Sequence, residues 1–389
     1  MAREGDRLVT VALFIIAFVL IAVYFVVVYD NGFSGFLRLE VSPRSEEQRP
    51  EGSLRTVYFP AIDGTRLEGW LLLPKKATAP LVIMAPGLTG TKDGHLEPFA
   101  WRFVRQGFAA LLFDFRCFGG SDGEPRHWVD PFRHADDYRA AVRFAREVLA
   151  SEGTIDATRI VLWGSSFSGG TVIEVAAGEP DIAAVVAQAP FVDTPKELEP
   201  KPLALLRYIF WTTLDLTRQH LASAFRIKVE PVYVPVFGRP GEFAFAPSRE
   251  NPSRLDPSEP GALFWRTLPS PPRGGWENKL LARLFTELNR FKPIDRIGSI
   301  GCPIYLIAAE SDDLALASLI KRAFERVSHA AREITIHPCG HFDLYLEPVF
   351  SHNADLQAEF LDRFVGSGIR PSTHGLRQTP VAESVLHRG

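Results

Sequence analysis

Cysteine is scarce: the 389-residue chain holds three, Cys117, Cys302 and Cys339, far apart and without the short paired spacings that bind zinc or iron–sulfur clusters. The sequence therefore gives no support for a metal centre, and no cofactor is expected. An odd count leaves at least one thiol free, and a disulfide-framed scaffold is excluded. Cys302 opens an apolar run and is expected to be buried as a small hydrophobe. Neither sign of charge is in large excess, since 43 Lys and Arg stand against 46 Asp and Glu. With no broad basic field to condense on phosphate backbones, nucleic acid is not an expected partner. No internal repeat is evident. What is present, 46% hydrophobic and 23% charged residues, is globular composition in a chain long enough for a large core.

Residues 8–29 carry no charge, and those 22 residues at a rise of ~1.5 Å each would span a hydrocarbon core of ~30 Å. The run is longer than the apolar region of a cleaved signal peptide and is followed by Val27, Val28, Tyr29 and Asp30 rather than by a small-residue cleavage site. One N-terminal transmembrane helix, within an anchor at 1–30, is the expectation, with Tyr24 and Tyr29 suited to an interface. Arg3 and Arg7 lie closer to the run than Arg38 and Arg44, which favours a cytoplasmic N-terminus and the rest of the chain on the other side. A solvated linker is expected over 31–53, rich in Glu, Arg, Pro and Ser towards its end.

From residue 54 short apolar runs alternate with amphipathic stretches, the pattern of strands and helices interleaved around a largely parallel sheet. Strands are expected at 54–60 and 67–73, joined by a turn at Asp63 and Gly64, and at 81–85, 108–113, 160–163, 183–187, 303–308 and 333–336. Helical spacing marks 98–106, 133–149, 171–177 and 318–327. The gap of about 110 residues between the strands ending near 190 and beginning near 302 is too long for an ordinary α/β connection. It holds Tyr208, Phe210 and Trp211, then a Pro- and Phe-rich stretch over 229–272. So many aromatics would be poorly tolerated in the open. A substrate-covering cap is expected at 193–297, between core segments at 54–192 and 298–365, with a disordered tail at 366–389.

The sharpest chemical signal is IVLWGSSFSGG at 160–170, where strand, tight turn and helix follow in order. In a nucleophile elbow, small residues two places either side of a serine let strand and helix backbones pass closely while the turn pushes Oγ outward. Gly164 and Ser168 flank Ser166 at that spacing, and Ser168, flanked by Ser166 and Gly170, is the rival nucleophile. A serine hydroxyl needs a base oriented by a third group. His341 lies in a Pro/Gly-marked loop after the last expected strand, with His337 the competing histidine. The carboxylate is expected at Asp312, with Asp313 the alternative, in the loop after the preceding strand. Oxyanion donors are expected from the backbone N–H of Phe167 and of Leu88, within Pro86-Gly87-Leu88-Thr89-Gly90.

Five segments in order, 86–90, Asp114-Phe115-Arg116-Cys117-Phe118-Gly119-Gly120-Ser121-Asp122-Gly123-Glu124-Pro125, 164–170, 310–313 and Gly340-His341-Phe342-Asp343, resemble the α/β-hydrolase superfamily over roughly 54–365. The chain is similar to its dienelactone-hydrolase-like, Xaa-Pro-dipeptidyl-peptidase-like and serine-aminopeptidase-like groups. The resemblance implies an α/β fold with a mostly parallel eight-stranded sheet, helices on both faces and an inserted cap. It also implies Ser166 as nucleophile, Asp312 as acid and His341 as base. Two departures stand out: Pro86-Gly87 where many relatives carry His-Gly, and Cys117 where glycine is usual after the arginine. The expected activity is hydrolysis of an ester, thioester or amide with a hydrophobic acyl group. A serine peptidase and a non-catalytic binding protein on the same scaffold are the alternatives.

Overall fold

The protein is seen in a computed structural model that describes residues 16, 17, 20, 52–75, 78–197, 202–236 and 276–366. Its strands are β1 (Gly52–Pro60), β2 (Arg66–Pro74), β3 (Ala79–Ala85), β4 (Ala109–Phe113), β5 (Ile155–Ser165), β6 (Ala184–Gln188), the short β7 (Tyr233–Val234) and β8 (Leu280–Leu281), β9 (Ile304–Ala309) and β10 (Arg332–His337). Eight of them form one sheet in the order β1-β2-β4-β3-β5-β6-β9-β10. The β1/β2 and β2/β4 pairs are antiparallel and every later pair is parallel.

The continuous apolar runs have a direct cause. Every residue of β3, β4, β6 and β9 is buried, as expected of parallel strands covered on both faces. β1, at the sheet edge, instead alternates near its end, with Val57 and Phe59 buried and Tyr58 exposed.

The longer helices among the described residues are α1 (Glu97–Arg105), α2 (Pro131–Phe144), α3 (Phe167–Ala176), α4 (Pro202–Phe225), α5 (Ala317–Glu325) and α6 (Val349–Leu361). The chain moves outward from β3 to β4, then steps back over β3 to β5, so right-handed crossovers place α1 on one face and α2 and α3 on the other. α1 accordingly packs on α6, and α2 on α3. The Asp130 carboxylate caps α2, accepting from the N–H groups of Phe132 and Arg133 at 3.0 and 3.1 Å, with Pro131 in the first turn.

The strand expected at 160–163 runs over Ile155–Ser165, and three other readings differ. The stretch 133–149 is helical to Phe144 and then widens into a π-helical turn over Ala145–Leu149. α3 begins at Phe167 rather than 171, because the chain reverses at Ser166 alone and the Gly/Ser run after it is already helical. α6 carries no expected counterpart.

Between β6 and β9 the described pieces are fastened from within. Asp215 of α4, fully buried, accepts from Val232 N–H and from Arg283 Nε, both at 2.8 Å. Thr212 Oγ1 donates to Ala282 O at 2.8 Å, and Leu281 N–H donates to His127 O at 2.9 Å, which joins the insertion to the loop after β4. The expected transmembrane run at 8–29 lies outside the described residues except at Ile16, Ala17 and Leu20, as do most of the linker and the tail from 367. Among the described residues no helix is long and apolar enough to cross a membrane.

Candidate active site

Ser166 occupies the single residue between β5 and α3, at φ 58° and ψ −122°, a left-handed conformation that costs a non-glycine residue ~1–3 kcal/mol and persists only where its surroundings enforce it. The surroundings are visible. Ser166 N–H donates to Gln188 O at 2.8 Å, and Ser166 O accepts from Phe191 N–H at 3.0 Å, so the turn is pinned to the end of β6 and to the loop that follows it. Gly164 is required by the crossing of strand and helix, since a Cβ there would lie 2.2 Å from Ser168 O.

Ser168 is spent on structure. Its hydroxyl is fully buried, accepts from Ser165 N–H at 2.8 Å and lies 2.8 Å from Ala85 O as donor, which ties the elbow to the end of β3.

The loop after β3 passes directly over the serine. A Cβ on Gly87 would stand 3.0 Å from Ser166 Cβ and 3.5 Å from its Oγ, so only glycine lets this backbone approach so closely. The next residue is Leu88, within a turn closed by Gly90 N–H to Gly87 O at 3.1 Å, with Thr89 at φ 59°. Phe167 is the first residue of α3, where the helix itself supplies no acceptor for the N–H. Trp276 of the insertion donates from Nε1 to Thr89 Oγ1 at 3.4 Å, so the inserted segment reaches this loop.

At the neighbouring end of the sheet, His341 Nδ1 lies 2.6 Å from Asp312 Oδ2. Asp312 Oδ1 accepts from the N–H groups of Leu314 and Ala315 at 2.8 and 2.9 Å. With that oxygen filled, Oδ2 is left to accept, and the neutral ring that satisfies it is the tautomer with hydrogen on Nδ1 and the lone pair on Nε2. Both side chains are buried. It is Asp312 rather than Asp313 that meets the histidine. His337 closes β10 in another setting, its ring edge-on to His352 at 5.9 Å, and burial together with that neighbour pushes its pKa down. Ser166, Asp312 and His341 follow the C-terminal ends of β5, β9 and β10, on one edge of the sheet. Among the described residues no group of three or more His, Cys, Asp or Glu could hold a metal ion.

One arrangement has no counterpart in the expectations. Lys92, 1% exposed, donates from Nζ to Asp114 Oδ2 at 2.6 Å and to Glu68 Oε1 at 2.9 Å, and lies 4.9 Å from the centroid of the Trp70 ring. Its own N–H donates to Asp114 Oδ1 at 2.6 Å. Desolvation alone would lower the Lys92 pKa, but the charges and hydrogen bonds of Asp114 and Glu68 outweigh it and raise it. Neighbouring Asp93 is pushed up to about 6, by burial first and the charge of Asp114 second. The cluster clamps the loop that carries Leu88 to β2 and β4. Asp114 opens a segment already singled out, and Lys92 lies two residues past another, yet only long-range pairing reveals them as partners. Lys92→Met is expected to cost about 3–5 kcal/mol in urea denaturation, because two buried carboxylates lose their counter-charge. A loss below about 1 kcal/mol, the range of an exposed pair, would show that they find another.

Known proteins are similar to this chain in sequence and in fold. The profile described as "Alpha/beta hydrolase family" matches residues 82–356. The chain is 30% identical over 312 residues to the quorum-quenching protein AidA of Acinetobacter baumannii, covering 79% of this chain and 94% of that one. It is 24% identical over 321 residues to a thiohydrolase of Eupenicillium brefeldianum, covering 82% and 97% of the two. The crystal structure of the alpha/beta hydrolase GrgF from Penicillium sp. sh18 superposes with a TM-score of 0.67 at 25% identity, over 80% of this chain and 99% of that one. On the matched length, the sheet order and the agreement with these relatives, the chain belongs to the alpha/beta hydrolase family.

Proposed function

We propose that the protein is a serine hydrolase that transfers an acyl group from an ester or thioester to water. Ser166 is the nucleophile, His341 the base and Asp312 the group that holds its tautomer. What supports this reading is a strained Ser166 beneath Gly87 and, beyond the same edge of the sheet, a His341 ring bonded to Asp312. Ser166 Oγ attacks the carbonyl carbon while its proton passes to His341 Nε2, and the carbonyl π pair moves onto oxygen. The N–H groups of Leu88 and Phe167 receive that oxyanion. As the tetrahedral species collapses, the bond to the alkoxide or thiolate breaks and that group takes the proton from His341. Water then repeats the sequence on the acyl-enzyme, yielding the carboxylic acid and free serine.

A relative named as a thiohydrolase supports the thioester arm. Aromatic rings around the elbow, with Phe167 5.3 Å from Phe291 and 6.2 Å from Phe191, favour a hydrophobic acyl group. The charge-free run at 8–29 would tether the enzyme to a bilayer as a single pass, with the catalytic domain on the non-cytoplasmic side.

The test is covalent. After treatment of the full chain with a fluorophosphonate probe and digestion, the adduct is expected on Ser166, and turnover of p-nitrophenyl and acyl-thioester series should stop in step with labelling. An adduct on Ser168, or turnover that survives complete labelling elsewhere, would overturn the assignment.

A further inference from the structure

Beneath the elbow runs a neutral hydrogen-bonded ladder that the acyl-transfer steps do not use. Trp163 Nε1 donates to Gln357 Oε1 at 2.7 Å. Gln357 Nε2 donates to Asn353 Oδ1 at 3.0 Å and to Gln188 Oε1 at 2.9 Å. Asn353 Nδ2 donates to Gln188 Oε1 at 2.7 Å and to Leu344 O at 3.1 Å. Gln188 Nε2 donates to Ser165 Oγ at 3.1 Å and also bonds the Tyr345 hydroxyl, which in turn meets Ser165 Oγ. Trp163, Ser165, Gln188, Asn353 and Gln357 are wholly buried, and Tyr345 nearly so.

The accounting leaves no freedom. Each of the three amides has its oxygen and both hydrogens engaged, so rotating any one of them would set donor against donor or acceptor against acceptor. An apolar core of the same shape would be about as stable. A directional network is therefore better explained by what it joins. One end is Ser165, next to Ser166, and Gln188, whose own carbonyl holds Ser166 N–H. The other end is Leu344 and Tyr345, three and four residues past His341 in the same loop. β5 and β10 lie three strand positions apart, roughly 14 Å at the usual inter-strand spacing, so strand pairing alone does not set the serine against the histidine.

We infer that Gln188, Asn353 and Tyr345 are positioning residues that fix the His341 loop against the Ser166 elbow. This rests on the proposed roles of Ser166 and His341. Gln188 anchors the turn through its backbone and the tyrosine through its side chain, and Asn353 on α6 carries the connection to Leu344. A shift of about 1 Å at the histidine is enough to cost up to ~100-fold in rate.

The experiment compares Tyr345→Phe and Asn353→Ala with the unsubstituted full chain, reading kcat and KM on a p-nitrophenyl ester, the rate constant of fluorophosphonate labelling, and the melting temperature. Tyr345→Phe keeps the ring that packs edge-on against Phe99 at 6.1 Å and removes only the hydroxyl, so it decides the matter even where Asn353→Ala fails to fold. Each folded variant is expected to lose about 10- to 100-fold in both kcat and labelling rate, with KM within about twofold. A lower melting temperature with kcat and labelling unchanged would overturn the inference and leave a purely structural ladder. Ser166→Ala separates the two readings: full labelling of that variant removes the nucleophile assignment itself, whereas its silence beside a fully active Tyr345→Phe removes only the positioning role.

Discussion

Ser166→Ala is expected to lower kcat for ester hydrolysis by about 10⁴- to 10⁶-fold, since under the proposed mechanism loss of the nucleophile disables the whole acyl-transfer sequence and leaves only binding and oxyanion stabilisation. The fold should tolerate the change well. The Ser166 backbone bonds to Gln188 and Phe191 do not involve Oγ, and alanine is no larger than serine. Ser168→Ala supplies the contrast: it strips Ser165 N–H and Ala85 O of their buried partner and should cost about 1–3 kcal/mol in stability while the folded fraction still reacts with the probe. Steady-state kinetics with denaturation curves for the two variants check both halves, and a Ser166→Ala enzyme within tenfold of the parent would end the serine-hydrolase reading.

The sheet was legible because its chemistry is local. The runs at 81–85, 183–187 and 303–308 are apolar throughout, since those strands are buried on both faces, and each became a strand within two residues of its expected bounds. The elbow was legible for a related reason: close crossing of two backbones demands small residues at fixed offsets, and Gly164 and Ser168 stand at them.

α6 was not legible, and the cause lies on its inward face. Asn353 and Gln357, four residues apart, occupy core-facing positions that an ordinary helix would fill with leucine or valine. Their partners come from β5, β6 and the His341 loop, up to 194 residues away in sequence, so the polar residues broke the apolar period without announcing why. Lys92 is the same case in ionic form. A lysine in a loop reads as solvated until Glu68 arrives from β2 and Asp114 from the residue after β4. Local pattern thus recovered the frame and the elbow, while the polar connections that hold them in place depend on contacts only the folded chain supplies.

Asp312→Asn is the other substitution with a large expected effect, and its mechanism can be followed atom by atom. Oδ1 of Asp312 accepts two backbone N–H groups, from Leu314 and Ala315. In the asparagine variant the side-chain oxygen must keep that position, because an NH₂ group there would face two donors at less than 3 Å. The NH₂ is then forced toward His341 Nδ1, where Oδ2 stood at 2.6 Å. Nδ1 must become an acceptor, the imidazole proton moves to Nε2, and the nitrogen that takes the Ser166 proton in the proposed mechanism has no lone pair to offer. A loss of about 10⁴-fold in kcat is expected, with KM little changed and the fold retained. Labelling by the fluorophosphonate should slow in the same proportion, because it needs the same proton transfer. Asp313→Asn leaves the Asp312–His341 bond untouched and should keep kcat near that of the parent. If instead Asp313→Asn were the silent enzyme and Asp312→Asn the active one, the orienting carboxylate would have been assigned to the wrong neighbour.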